Sequence, residues 1–211
     1  MSEILDPQVD PALAVAVLEV ESHASSLGWD GPARLYALVD TARLVALEPE
    51  LAANMGLDDA SAAGSLTPIE QDQLGAEVLE ATLESIVWPP EVVGCAAVVE
   101  RLVLPPGVDA ELPGDVREAQ EYAREHPDRH EVRIAAGVTR AGAAYCALRL
   151  REHDDDLSVV TGTDLVPGLL DLLRATLEPG LDDTPLDAAR QDGLHHDPAD
   201  PAAGPEEENS G

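Results

Sequence analysis

The stretch "HEVRIAAGVTRAGAAYCALRLREH", residues 130–153, decides the fold class of this chain. Two runs of alternating apolar and polar residues flank Arg140-Ala141-Gly142, and a two-residue period broken by a glycine-bearing turn marks a β-hairpin. Successive strand side chains point to opposite faces, so Val132, Ile134, Cys146, Leu148 and Leu150 share one face and Arg133, Tyr145, Arg149 and Arg151 the other. The first set is expected to meet a core and the second to face solvent.

Before the hairpin, Asp115 with Glu118 forms a capping box that opens a helix over "DVREAQEYARE", with Val116, Ala119 and Ala123 inward. Earlier still, "VVGCAAVVERLVLPP" from Val92 is β-branched, bounded by proline pairs, and reads as one long strand. "TPIE" from Thr67 has the form of a second capping box with proline at the first helical position, followed by a helical stripe of Leu79, Leu83 and Ile86. Residues 33–39, within "GWDGPARLYALVDTARLVALEPE", read either as a short buried strand feeding a helix that ends near Glu48-Pro49, or as part of one longer helix. Asp10-Pro11 suits the start of a helix over 11–27, with Leu13, Val17, Val20, Ala24 and Leu27 spaced by three and four. After the hairpin, "LSVVTG" suggests a short strand, and Asp164 is placed to cap a helix through Leu165, Leu169, Leu172, Leu173 and Leu177. One hairpin without regular βαβ alternation predicts a single α+β domain over residues 1–179. Its sheet is expected to be small and mainly antiparallel, of about four strands, with helices packed on one face. Residues 180–211 carry nine acidic residues against Arg190 and no apolar periodicity after Leu186, which predicts a disordered acidic tail rich in Pro, Ala and Gly.

Composition excludes more than it suggests. The formal charge is −30, all 12 basic residues are arginine, and phenylalanine is absent. Nucleic-acid binding needs cations against phosphate, and anionic membranes repel an acidic surface, so neither is an expected partner. Without lysine there is no P-loop, protein kinase or pyridoxal-phosphate Schiff base. Cys95 and Cys146 cannot make a disulfide framework, the acidic N-terminus does not resemble a secretory signal, and no apolar run reaches the roughly 20 residues of a bilayer span. The expected compartment is the cytoplasm; oligomeric state is not legible.

The candidate chemistry is sparse. His153 and the three aspartates 154–156 invite a metal, since hard cations take several carboxylates at once. Adjacent side chains diverge, however, and aspartate is a preferred turn former, so the run is read as a turn and no metal or cofactor is expected. His195 and His196 lack a scaffold, His23 has only Glu19 at helical spacing, and His126 and His130 have no nucleophile nearby in sequence. Both cysteines fall at apolar strand positions and read as core residues. One concentration of cations stands out. Arg133, Arg149 and Arg151 share a hairpin face, Arg101 of the long strand is a candidate fourth, and four of twelve cations there could hold an anion, a partner's carboxylates or this chain's own acidic tail. The plainer reading is cross-strand pairing with Glu100, Glu131 and helix acids.

The segments "GWDGPARLYALVDTARLVALEPE", "IVWPPEVVGCAAVVERLVLPP", "HPDRHEVRIAAGVTRAGAAYCALRLREHDDD" and "TGTDLVPGLL", in this order across about residues 10–178, resemble a family of uncharacterised cytoplasmic proteins from GC-rich actinobacteria. That resemblance implies a cytoplasmic bacterial protein and contributes no catalytic residues. The expected function is a non-enzymatic protein-interaction module. The alternatives are a metal-assisted hydrolase using His153, Asp154 and Asp156, and, more weakly, an acidic mimic of nucleic acid.

Overall fold

The computed structural model describes residues 9–58, 62–71, 79–105, 107–108 and 112–178. The unit Gly180–Gly211, and with it the expected tail and its two histidines, lies outside the described residues. Six antiparallel strands form one sheet in the order β2-β1-β3-β4-β5-β6. They are β1 (Arg34–Asp40), β2 (Leu66–Glu70), β3 (Val92–Val103), β4 (His130–Thr139), β5 (Ala144–Leu150) and β6 (Val160–Gly162). The described helices are α1 (Pro11–Ser26), α2 (Thr41–Leu47), α3 (Pro49–Asn54), α4 (Leu79–Leu83), α5 (Val116–Glu125) and α6 (Pro167–Leu177).

The hairpin forms as its alternation requires: Val132 pairs with Leu150, Ile134 with Leu148, Ala136 with Cys146, and Gly142 closes the turn at φ 91°. Residues 34–40 are a strand, and the helix after it stops at Glu48. The strand count is six and not the expected four or so, because residues 34–40 take the strand alternative and because Thr67-Pro68-Ile69-Glu70 is not a helix start. Those residues form the edge strand β2, paired Val39 to Thr67 and Leu38 to Pro68, and a proline without an N–H is tolerated on an edge. The buried bond between Thr41 Oγ1 and Thr67 Oγ1, 2.8 Å, uses the hydroxyl that a cap would have needed. Asp115 does cap its helix, accepting from the amides of Arg117 and Glu118. Asp164 caps nothing at α6: the helix begins at Pro167 after Val166, which makes no side-chain cap bond. Proline itself starts the helix, its missing N–H being one that would lack an intrahelical partner anyway.

Helices cover both faces of the sheet rather than one. On the first face, α4 supplies Leu79 and Leu83 and α6 supplies Leu170, Leu173 and Leu177 over Leu35, Cys95, Ala97, Val132, Ile134 and Cys146. Full burial of each such leucine stabilises by roughly 1.5–3 kcal/mol. Trp88 closes this layer, its indole N–H donating to Thr176 Oγ1 at 2.9 Å. At the hairpin tip the Arg140 guanidinium donates to the carbonyls of Val92, Trp88, Pro89 and Leu177, tying the end of α6 to the start of β3.

On the second face lies α1, capped by Asp10, whose carboxylate accepts from the amides of Ala12 and Leu13. Leu13, Ala16, Val17, Val20 and Ala24 pack on a track of small residues that includes Ala96, Ala135 and Ala147. Gly137 completes the track. A Cβ there would lie 2.6 Å from Val17 Cγ2 and 3.2 Å from Leu13 Cδ1, so the helix sits where only glycine leaves room. This close seating delivers the end of α1 and residues 27–31 onto one end of the sheet.

Candidate functional site

At that end the register lines up three charged side chains on the α1 face: Glu100 of β3 opposite Arg133 of β4, and Arg133 opposite Arg149 of β5. The expected sharing of a face by Arg133, Arg149 and Arg151 is observed, but the face is not open to solvent. Arg133 and Arg149 are 1% and 2% exposed, because α1 and residues 27–31 lie over them. Two cations opposite each other on neighbouring strands repel, and each is therefore matched separately.

Arg149 is held by three carboxylates. Its Nε and Nη2 donate to the two oxygens of buried Glu21 at 2.6 and 2.9 Å, Nη2 also reaches Asp156 at 2.9 Å, and Nη1 lies 3.5 Å from Asp154. This forked pairing favours the charged guanidinium and raises its pKa further. Arg151 takes two: bidentate bonds to Asp30, both 2.9 Å, and one to Glu131 at 2.5 Å. Arg133 takes one. Its Nε and Nη2 share a single oxygen of Glu100, and Nη2 also donates to the Gly28 carbonyl.

Trp29 is within reach of two of these cations, its ring centroid 4.2 Å from Arg133 Cζ and 5.5 Å from Arg151 Cζ. Its indole N–H donates to Asp154 at 2.9 Å. Asp30, at φ 67°, turns its amide to Glu100 at 2.7 Å while its carboxylate grips Arg151. The Arg151 hydrogen bond holds the Asp30 carboxyl below its usual pKa. Arg101 is absent from this assembly. It lies one residue beyond Glu100 and so points to the opposite face, where it binds Glu80 of α4 at 2.6 Å.

The run His153-Asp154-Asp155-Asp156 is a turn made of two short 3-10 segments. Its acids diverge: Asp154 goes to Trp29 and Arg149, Asp156 to Arg149, and Asp155 accepts from the Leu157 amide and the Ser158 hydroxyl. The bond from Ser158 holds the Asp155 carboxyl low. Among the described residues no three His, Cys, Asp or Glu side chains converge in a group able to hold a metal ion. His23 faces Glu70 of β2 at 3.9 Å instead of Glu19, and His130 binds Glu152 at 2.7 Å. Both cysteines are buried core residues, and burial pushes the Cys95 thiol up to about 11 and raises that of Cys146.

Glu21, Trp29, Asp30 and Arg140 carry structure that the sequence reading did not single out. For Glu21 a signal existed, because it falls on the inward stripe of α1 beside Val17, Val20 and Ala24. An acid at such a position requires a buried cation. Residues 27–31 had no comparable signal.

Beyond this network, the terminal strand β6 is bordered by apolar side chains left in solvent. Leu157 is 98% exposed and Val160 is 56% exposed, while Leu165 packs at 3.1 Å where a Cβ of Gly162 would stand. Exposed Asp155, Asp156, Asp164 and Asp171 surround them in sequence.

The sequence matches the family described as PPA1309-like protein over residues 13–178. The chain belongs to that family. The span matched to the PPA1309-like family runs from the first buried leucine of α1 to the residue after α6 and so takes in all six described strands. No curated protein and no solved structure matches the chain. No helix among the described residues is long and apolar enough to cross a membrane.

Proposed function

We propose that this domain is a non-enzymatic protein-interaction module whose β6 edge accepts an extended, basic segment of a partner protein. The observation that carries the reading is Leu157, an almost fully exposed leucine beside a terminal strand and among exposed aspartates. A sheet edge offers unpaired backbone groups to an added strand, and apolar side chains next to it give that strand somewhere to anchor. The opposite edge carries Pro68, which lacks the N–H that strand addition would use. Charge selects the partner, since an acidic rim attracts lysine and arginine and repels a second acidic copy. The arginines expected to do the docking are committed to internal carboxylates, and the metal-assisted hydrolase would need oxygens of Asp154 and Asp156 that Arg149 and Trp29 already hold.

Selection of random displayed peptides against the full chain tests this. The enriched sequences should alternate apolar and basic residues and should lose binding, by about 10-fold or more, to a Leu157→Asp, Val160→Asp variant. Enrichment of acidic or helical sequences, or equal binding to the variant, overturns it. Binding that ignores Leu157 and vanishes at moderate salt would instead be the behaviour of a nucleic-acid mimic.

A further inference from the structure

Two surface segments hang on the same row of arginines. Residues 27–31 reach from Glu100 of β3 to Arg151 after β5 and are held there by polar contacts: the Gly28 carbonyl to Arg133, the Asp30 amide to Glu100 and the Asp30 carboxylate to Arg151. None of these residues enters either apolar core, and Leu27 is 54% exposed. Residues 154–158 are held in the same way, with Asp154 and Asp156 on Arg149. Ion pairs to carboxylates as exposed as those of Asp30 and Asp156 contribute little to stability. A segment with so few buried apolar contacts opens well before the whole domain unfolds.

Among the described residues one hydrogen bond joins the two segments directly, from the Trp29 indole N–H to Asp154 at 2.9 Å. We propose that residues 27–31 and 154–158 open and close as one latch through that bond, and that the latch regulates the β6 edge by fixing Leu157 outward. The second half rests on the reading of that edge as a docking surface. Asp154 and Asp156 are drawn inward on Trp29 and Arg149, and Asp155 closes the turn by accepting from the Leu157 amide and the Ser158 hydroxyl, so the leucine among them is turned to solvent. An apolar side chain held in water is unfavourable, and once the acids let go nothing keeps that leucine presented. A partner that meets an ordered anchor avoids the cost of ordering it, which is how the closed latch strengthens docking. Such coupling is reciprocal: a strand bound at β6 holds residues 27–31 closed, and release of residues 27–31 weakens the strand.

Hydrogen exchange of the full chain in low urea, read by NMR, tests the latch without any ligand. The amides of Asp30, Leu157 and Ser158, each hydrogen-bonded in the closed form, should share one opening free energy, below that of the β4 amides, which report global unfolding. Trp29→Phe keeps a ring and loses the N–H. It should speed exchange at Leu157 and Ser158 by about 10-fold, the worth of one hydrogen bond to a charged acceptor, with β4 unaffected. Asp154→Ala should speed Asp30 in return. A role of Trp29 confined to residues 27–31 would leave Leu157 unmoved. Different opening free energies in the unaltered chain, or a Trp29→Phe protein in which Leu157 exchanges as before, overturn the latch, and the first of these needs no variant to fold. A peptide selected for the β6 edge should slow exchange at Asp30, and a bound peptide that leaves Asp30 unchanged overturns the regulatory half. Failure to select any peptide overturns the docking reading and that half together, while exchange in the unaltered chain decides the latch by itself.

Discussion

Replacing Arg149 by methionine removes the one side-chain hydrogen-bonding partner that Glu21 has among the described residues, and the Glu21 side chain is 3% exposed. The carboxylate is then left under α1 without a cation, and breaking a buried pair from one side costs about 3–5 kcal/mol. The lower half of that range is expected here. The pair lies only one layer deep, and Asp156, which completes it, is 90% exposed, so water can relax toward the vacancy. For a domain of this size ~2–4 °C of melting temperature is lost per kcal/mol, which sets the fall at roughly 6–16 °C. Glu21→Leu should cost less, about 1–3 kcal/mol, because Arg149 keeps Asp156 at 2.9 Å and Asp154 at 3.5 Å. The double variant buries hydrocarbon where the pair was and should recover to within about 1–2 kcal/mol of the parent, as replacement of buried ion pairs by apolar residues often does. Urea unfolding followed by circular dichroism on all four proteins gives the cycle, with an expected coupling of about 2 kcal/mol or more. A cost under about 1 kcal/mol for Arg149→Met, or strict additivity, would refute the claim that this pair holds α1 to the sheet.

Gly137→Ala should destabilise by about 1–3 kcal/mol through the clash with Val17, and Val17→Ala in the same chain should recover part of the loss; no recovery would mean that α1 is not seated on this glycine. The carboxyls of Asp30 and Asp155 should titrate below the ordinary aspartate range in a carbon-detected NMR series. Their folded pKa values lie under the unfolded value of about 3.9, so the stabilisation they give is complete above about pH 4 and disappears as pH falls through the folded values. A midpoint for Asp30 that Arg151→Gln leaves unchanged would remove Arg151 as the cause.

How much of this was legible in the sequence depends on the range of the interactions. The hairpin, the long strand β3, the cap at Asp115 and the turn at 154–156 are local patterns, since alternation, capping and turn chemistry act over a few residues. Thr67-Pro68-Ile69-Glu70 shows where such patterns mislead, because the same four residues serve as a cap or as an edge strand and only β1 beside them selects the strand. The arginine site divides in the same way. Alternation put Arg133, Arg149 and Arg151 on one face, but it could not say that α1 and residues 27–31 would cover that face.

The sequence by itself determined the α+β class, the antiparallel hairpin, the buried cysteines and the turn nature of the aspartate run, because each follows from the backbone preferences of neighbouring residues. Only the tertiary structure decided that helices cover both faces, that Arg101 is separated from the other three arginines, and that Arg133 and Arg149 are buried beneath α1 and residues 27–31. Those outcomes depend on contacts between residues about 20 to 130 positions apart, such as Arg149 with Glu21 and Arg133 with Gly28, and pairing at that distance is set by how the layers stack, not by any local period.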